Sequence, residues 1–256
     1  MKISIVQTDI IWADKKANLR RIEEKLLTLS GTTDLAVLPE MFTTGFCTNR
    51  MDLAETMEEE TVQKLISWAK GYNMAIAGSF IAKENKCVYN RAFFVFPSGK
   101  IETADKRHLF SVGGEDQHFH SGNKKLIINY KEFNICVLVC YDVRFPVWSR
   151  NVGNEYDMLI YTANFPSARI HAWDTLLVAR AIENQAYVCG VNRVGEDGIK
   201  TAYSGHSVLL DYRGETILKF DDNVQGTKTA ELTIPTLKKF RDRYAFWKDA
   251  DRFEIV

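Results

Sequence analysis

The sequence has no surplus of either charge: lysine plus arginine and aspartate plus glutamate each total 33 in 256 residues. A nucleic-acid-binding face needs a basic surplus or stripe, and neither is present. Long apolar runs are also missing. The longest, Ile135 to Tyr141, is about seven residues, far short of the ~20 that span a bilayer. The first ten residues, MKISIVQTDI, show no signal-peptide core or small-residue cleavage site, so the expected location is the cytoplasm. Cysteine is sparse and odd in number (Cys47, Cys87, Cys136, Cys140 and Cys189), with no C-x-x-C pair. That pattern argues against a disulfide framework or a cysteine-rich zinc site and leaves each thiol free to react. No proline-rich, low-complexity or linker-like stretch interrupts the chain, so one domain over residues 1–256 is expected.

What remains is a chain that is 46% hydrophobic, enough for a sizeable core at this length. Short apolar runs alternate with helical periodicity, which predicts an α/β fold. Strands are expected at Ile3–Gln7, Leu35–Leu38 and Met74–Gly78, and helices at Asn18–Leu29 and Thr61–Lys70. A hairpin is expected around Pro97, Ser98 and Gly99. Residues 157–161 resemble 34–38, a helix at Ala172–Gln185 takes the place of Thr61–Lys70, and a turn at Arg213-Gly214 echoes Ser98-Gly99. These separations of about 113 to 123 residues describe a duplicated plan of two similar halves, not a short-period array.

Three residues at element ends carry chemistry. Cys140 closes the most apolar strand, just before the charged turn Tyr141-Asp142-Val143-Arg144. Strand ends are where α/β folds collect active sites, and backbone N–H groups there can lower a thiol pKa and stabilise an oxyanion. A lone strand cysteine is ordinarily a small core residue, so Cys140 needs partners to count. Glu40 ends the strand Leu35–Leu38 beyond Pro39, and an apolar sequel that includes Phe42 is not that of an ordinary solvated loop. Lys106, in Asp105-Lys106-Arg107-His108-Leu109-Phe110, reads either as a solvated charge or as a cation beside the thiol. Glu115 follows nine residues later as a second acid.

In order and spacing, Leu38-Pro39-Glu40, Asp105-Lys106-Arg107-His108-Leu109-Phe110 and Cys140-Tyr141-Asp142-Val143-Arg144-Phe145-Pro146 resemble the Glu–Lys–Cys triad of the nitrilase (carbon–nitrogen hydrolase) superfamily. Asn164-Phe165-Pro166, the helix containing Arg180 and Glu183, and Val191-Asn192-Arg193 extend the resemblance over nearly the whole chain. The likeness is greatest to the omega-amidase branch, in its bacterial form. It implies a four-layer α–β–β–α sandwich and a cysteine-thioester mechanism. In that mechanism Cys140 is the nucleophile, Glu40 the acid–base, Lys106 and the Tyr141 N–H the oxyanion donors, and Glu115 a second glutamate. No cofactor or metal is implied. The implied substrate is a small dicarboxylic monoamide of the 2-oxoglutaramate or 2-oxosuccinamate type; a nitrile or another aliphatic or N-carbamoyl amide on the same triad is the alternative.

A substrate carboxylate needs a buried cation. Arg144 is the nearest guanidinium in sequence, and it can equally pair with Asp142. Arg107 and His108 are further candidates. Phe42, Phe110, Tyr141 and Phe165 are expected to supply apolar walls or core packing. His118 and His120 have strand-like metal-ligand spacing, but no acid or cysteine cluster joins them. The stretch Leu237–Phe253 is expected to pack on a neighbouring subunit, because the family commonly forms homodimers.

Overall fold

A computed structural model describes residues 1–255. Its strands are β1 (Lys2–Gln7), β2 (Leu35–Val37), β3 (Ala75–Glu84), β4 (Cys87–Val95), β5 (Ile101–Asp105), β6 (Leu126–Tyr130), β7 (Phe133–Val139), β8 (Met158–Ala163) and β9 (Tyr187–Asn192). They continue with β10 (Val194–Glu196), β11 (Ala202–Ser204), β12 (Val208–Leu210), β13 (Thr216–Lys219) and β14 (Gly226–Glu231). The helices are α1 (Lys15–Leu29), α2 (Glu60–Gly71), α3 (Pro146–Ser149), α4 (Ile170–Asn184) and α5 (Ile234–Arg243).

Among the described residues two six-stranded sheets form, ordered β14-β1-β2-β3-β4-β5 and β13-β12-β9-β8-β7-β6. Each has three parallel central strands, β1-β2-β3 and β7-β8-β9, flanked by antiparallel edges. The halves therefore match strand for strand: β7 corresponds to β1, β8 to β2 and β9 to β3. The duplicated plan of the sequence is real.

Residue parity explains the layering. Ile3, Ile5, Leu35, Val37, Ala75 and Ala77 join the core between the sheets, while Val6, Ala36, Leu38 and Ile76 join the cluster beneath α1 and α2. Successive strand side chains point to opposite faces, so a strand buried on both sides reads as a continuous apolar run. α1 presents Leu19, Ile22, Leu26 and Leu29 to this sheet, and its N-terminus is capped by Asp14, which accepts from the Ala17 N–H at 3.0 Å. Burying one such leucine contributes about 1.5–3 kcal/mol. On the other sheet α4 buries Trp173, Leu177 and Ala181, and α5 adds Ile234 and Leu237. The result is the expected α–β–β–α sandwich.

β3 and β4 are longer than the sequence suggests. They pair from Ile76↔Val95 out to Glu84↔Cys87, around a tight turn where Asn85 takes φ +56°. The polar tip, Lys83 to Lys86, hides the apolar alternation there, and asparagine tolerates the left-handed turn. No helix among the described residues is long and apolar enough to cross a membrane.

Candidate active site

Four carboxyl-terminal strand ends converge. Glu40 lies beyond β2, Lys106 follows β5, Cys140 follows β7 and Asn164 follows β8. Two of these turns are conformationally strained: Met41, next to Glu40, has φ +45°, and Cys140 itself has φ +43°. Left-handed backbone at a non-glycine residue persists only where its surroundings hold it, as they do at functional turns. Cys140 begins a 3-10 turn (Cys140–Arg144), with its side chain facing the cavity.

The charges are arranged around Lys106, whose side chain is fully buried with those of Glu40 and Glu115. Lys106 Nζ lies 3.0 Å from Glu40 Oε1, 3.1 Å from Glu115 Oε1 and 2.8 Å from Glu115 Oε2. Burial alone would push the ammonium down, but the charges of Glu115 and Glu40 outweigh it and hold the lysine above its ordinary range. Burial pushes the Glu115 carboxyl up against the pull of Lys106. Cys140 behaves oppositely to the sequence expectation. Burial, then the charge of Glu40, push its thiol well above the usual value, and Lys106 offsets them only in part. One ammonium shared by two carboxylates has little left for a thiolate, which favours the thiol form at rest.

Two asparagines complete the network, and sequence reasoning assigned neither a role. Asn90 Nδ2 donates to Glu40 Oε1 at 2.8 Å and to Glu115 Oε1 at 2.9 Å. The Asn164 main-chain N–H donates to Glu40 Oε2 at 2.8 Å. A signal for Asn90 exists in the sequence, since asparagine is disfavoured in strands and a buried amide must find partners.

Cys140 and Lys106 line a cavity of about 390 Å³, with Tyr141, Phe110, Phe165 and Arg144 among its walls. Arg144 lies over the Phe165 ring at 5.6 Å. The alternative pairing of Arg144 with Asp142 does not form. Asp142 accepts from the main-chain N–H groups of His108 and Val139 and bonds the His108 ring at 2.8 Å. His108 is thereby committed, and it stacks on Phe145 at 3.6 Å. Arg107 lies over Trp148. A second guanidinium, Arg169, was not anticipated. It stands on the cavity wall 4.9 Å from the Phe110 ring centre. Among the described residues neither Arg144 nor Arg169 forms a side-chain hydrogen bond or ion pair.

Phe42 is a correction. It lies in the outer core beneath α1 and α2, edge-to-face with Phe93 at 5.8 Å, because the left-handed turn at Met41 sends it away from the cavity. His118 lines the cavity, whereas His120 packs against the Tyr89 ring at 5.8 Å.

Residues 2–242 match the carbon–nitrogen hydrolase family. The omega-amidase YafV of Escherichia coli K12 is 41% identical, covering 100% of this chain and 98% of its own length. The 2-oxoglutaramate amidase of Bacillus subtilis is 30% identical over 96% of each chain. Among solved structures, XC1258 of Xanthomonas campestris, a CN-hydrolase superfamily protein with an arsenic adduct in its active site, superposes with a TM-score of 0.98. It is 36% identical and covers 100% of this chain and 99% of that one. Nit3 of Saccharomyces cerevisiae, from the nitrilase superfamily, gives a TM-score of 0.85 at 26% identity, with 95% and 93% covered.

Proposed function

The chain belongs to the carbon–nitrogen hydrolase family, and from that premise we propose that it hydrolyses the terminal amide of a small dicarboxylic monoamide, of the 2-oxoglutaramate or 2-oxosuccinamate type. The products are the dicarboxylic acid and ammonia. The observation that carries this reading is the pairing of one buried thiol beside Glu40 with two uncommitted guanidiniums on the wall of the same cavity. The first can open an amide; the second can hold a carboxylate, through bidentate hydrogen bonds. The names of the Escherichia coli and Bacillus subtilis relatives support the same substrate class.

The thiol is protonated at rest, so its proton passes to Glu40 as Sγ attacks the amide carbon. The carbonyl electron pair moves to oxygen, where Lys106 and the Tyr141 N–H receive the negative charge. Collapse of this intermediate breaks the C–N bond. Nitrogen takes the proton from Glu40 and leaves as ammonia, and the acyl group remains on Cys140 as a thioester. Glu40 next takes a proton from water as the oxygen adds to the thioester carbon. The second collapse breaks the C–S bond, returns the proton to sulfur and frees the acid. Glu115 keeps Lys106 in place and charged throughout.

At the other end of the substrate, Arg144 and Arg169 hold the carboxylate, and Phe110 and Phe165 flank the chain between them. Homodimers form through the groove lined by Val147 and Phe246, large apolar side chains left exposed on the monomer. Five unpaired thiols fit a reducing cytoplasm.

The test is ammonia release from 2-oxoglutaramate, succinamate, glutamine and a simple nitrile, run beside Cys140→Ala. The 2-oxo monoamide is expected to be the best substrate and the variant inactive. Release no greater than the variant's on all four compounds contradicts the reading, and preference for the nitrile moves it to another reaction.

A further inference from the structure

Asn90 touches every charged member of the network. Its side-chain amide reaches both glutamates, and its main-chain carbonyl accepts the Lys106 N–H at 2.9 Å. It is fully buried, and its orientation is fixed from behind. Ser79 Oγ accepts the Met41 N–H at 3.0 Å, so the hydroxyl proton is directed to Asn90 Oδ1 at 2.9 Å. With its oxygen so engaged, the amide must turn its two N–H groups toward the carboxylates.

Each carboxylate oxygen has two acceptor positions. Glu115 uses all of them: Oε1 accepts from Lys106 and Asn90, and Oε2 accepts from Lys106 and the Phe110 N–H at 2.7 Å. On Glu40, Oε1 is likewise filled by Lys106 and Asn90. Oε2 has one close donor, the Asn164 N–H, with the Asn164 side-chain amide more distant at 3.4 Å.

We propose that Asn90 is a positioning residue that makes Glu40 the base, closing the last acceptor position on Glu115 and on Glu40 Oε1 so that Glu40 Oε2 alone receives the Cys140 proton. This rests on the hydrolase reading above and adds to it the reason why two neighbouring glutamates do not share the task. Removing the amide frees an acceptor on both acids and withdraws a donor from the ionised form of Glu40. Its pKa then rises.

The test is the pH profile of kcat/KM for 2-oxoglutaramate in Asn90→Ala, Ser79→Ala and the double variant. The acidic limb, which reports the base in the free enzyme, is expected to move up by about one pH unit in Asn90→Ala, with kcat lower by about 10- to 100-fold and KM within about threefold. Ser79→Ala leaves the amide in place but unanchored, so its limb moves the same way by less, and the double variant matches Asn90→Ala. If Asn90→Ala does not fold, Ser79→Ala decides the matter. An unmoved limb, or an effect confined to KM, overturns the proposal while wild-type turnover leaves the hydrolase reading standing. A wild-type enzyme no more active than Cys140→Ala ends both.

Discussion

Asn164 gives its main-chain N–H to Glu40 Oε2 at 2.8 Å and its side-chain amide to the Glu40 carbonyl at 2.7 Å. The two residues follow β8 and β2, which hold the same place in the two sheets. The duplicated halves thus meet at Glu40, each supplying one partner of the contact. Replacing Asn164 by Ala loosens one side of that junction. The substitution keeps the main-chain donor and removes the side-chain bond to the Glu40 carbonyl, and a neutral hydrogen bond is worth about 0.5–1.5 kcal/mol, so kcat/KM is expected to fall about three- to tenfold. Steady-state kinetics on 2-oxoglutaramate check this, and a change under twofold contradicts it.

Glu40→Gln is expected to move two activities in opposite directions. Hydrolysis is lost, because the proton acceptor is gone. The negative charge that helps to hold the Cys140 thiol up is gone as well, so more of it ionises and Lys106 is freer to pair with the thiolate. Alkylation by iodoacetamide, which reacts with thiolate, therefore speeds up at pH 8. Timed mass measurement of the Cys140 peptide gives the rate; slower alkylation than in wild type contradicts the charge balance described for this site.

Arg144→Met and Arg169→Met each withdraw one guanidinium from the substrate carboxylate. Each is expected to raise KM for 2-oxoglutaramate about tenfold, at ~1.4 kcal/mol per decade, with kcat less affected. An uncharged amide of similar length should be insensitive to both. Equal losses on charged and uncharged amides would mean that the arginines serve the fold instead.

Much of this was legible in the sequence because chemistry and architecture coincide at strand ends. Glu40 and Cys140 each close an apolar run, Lys106 stands just past the first hairpin, and the repeat of strand–helix–strand order revealed the two halves. Contacts between residues far apart in the chain were not legible. Asn164 reaches Glu40 across 124 residues of chain and Asn90 reaches it across 50, separations with no periodic signature. Phe42 was misplaced for a local reason, since a single left-handed residue at Met41 reverses the direction of the next side chain. The thiol's direction of shift was misjudged because the sequence places Lys106 near Cys140 without showing that two carboxylates already claim its charge.

Stability is expected to fall on the alkaline side. Burial pushes the Cys47 thiol up to about 12 and raises Cys136 and Cys189 as well. In the unfolded chain thiols titrate near ~8.5, so above that pH the unfolded state binds fewer protons than the folded one. Stability is then fully present below about pH 8.5 and lost as pH rises, by up to ~1.4 kcal/mol per pH unit for each buried thiol. Thermal melts between pH 7 and 11 test the sign: the midpoint should hold to about pH 8.5 and then drop. A midpoint that rises or stays level to pH 11 contradicts it.

The acyl-enzyme itself is the species to capture. Wild-type protein mixed with 2-oxoglutaramate, quenched in acid during turnover and digested, should carry the acyl group as a thioester on the peptide containing Cys140, after one equivalent of ammonia has been released. Cys140→Ala should show neither the adduct nor the ammonia. Ammonia release that persists in Cys140→Ala, or an acyl group found on any other residue, would contradict the thioester mechanism.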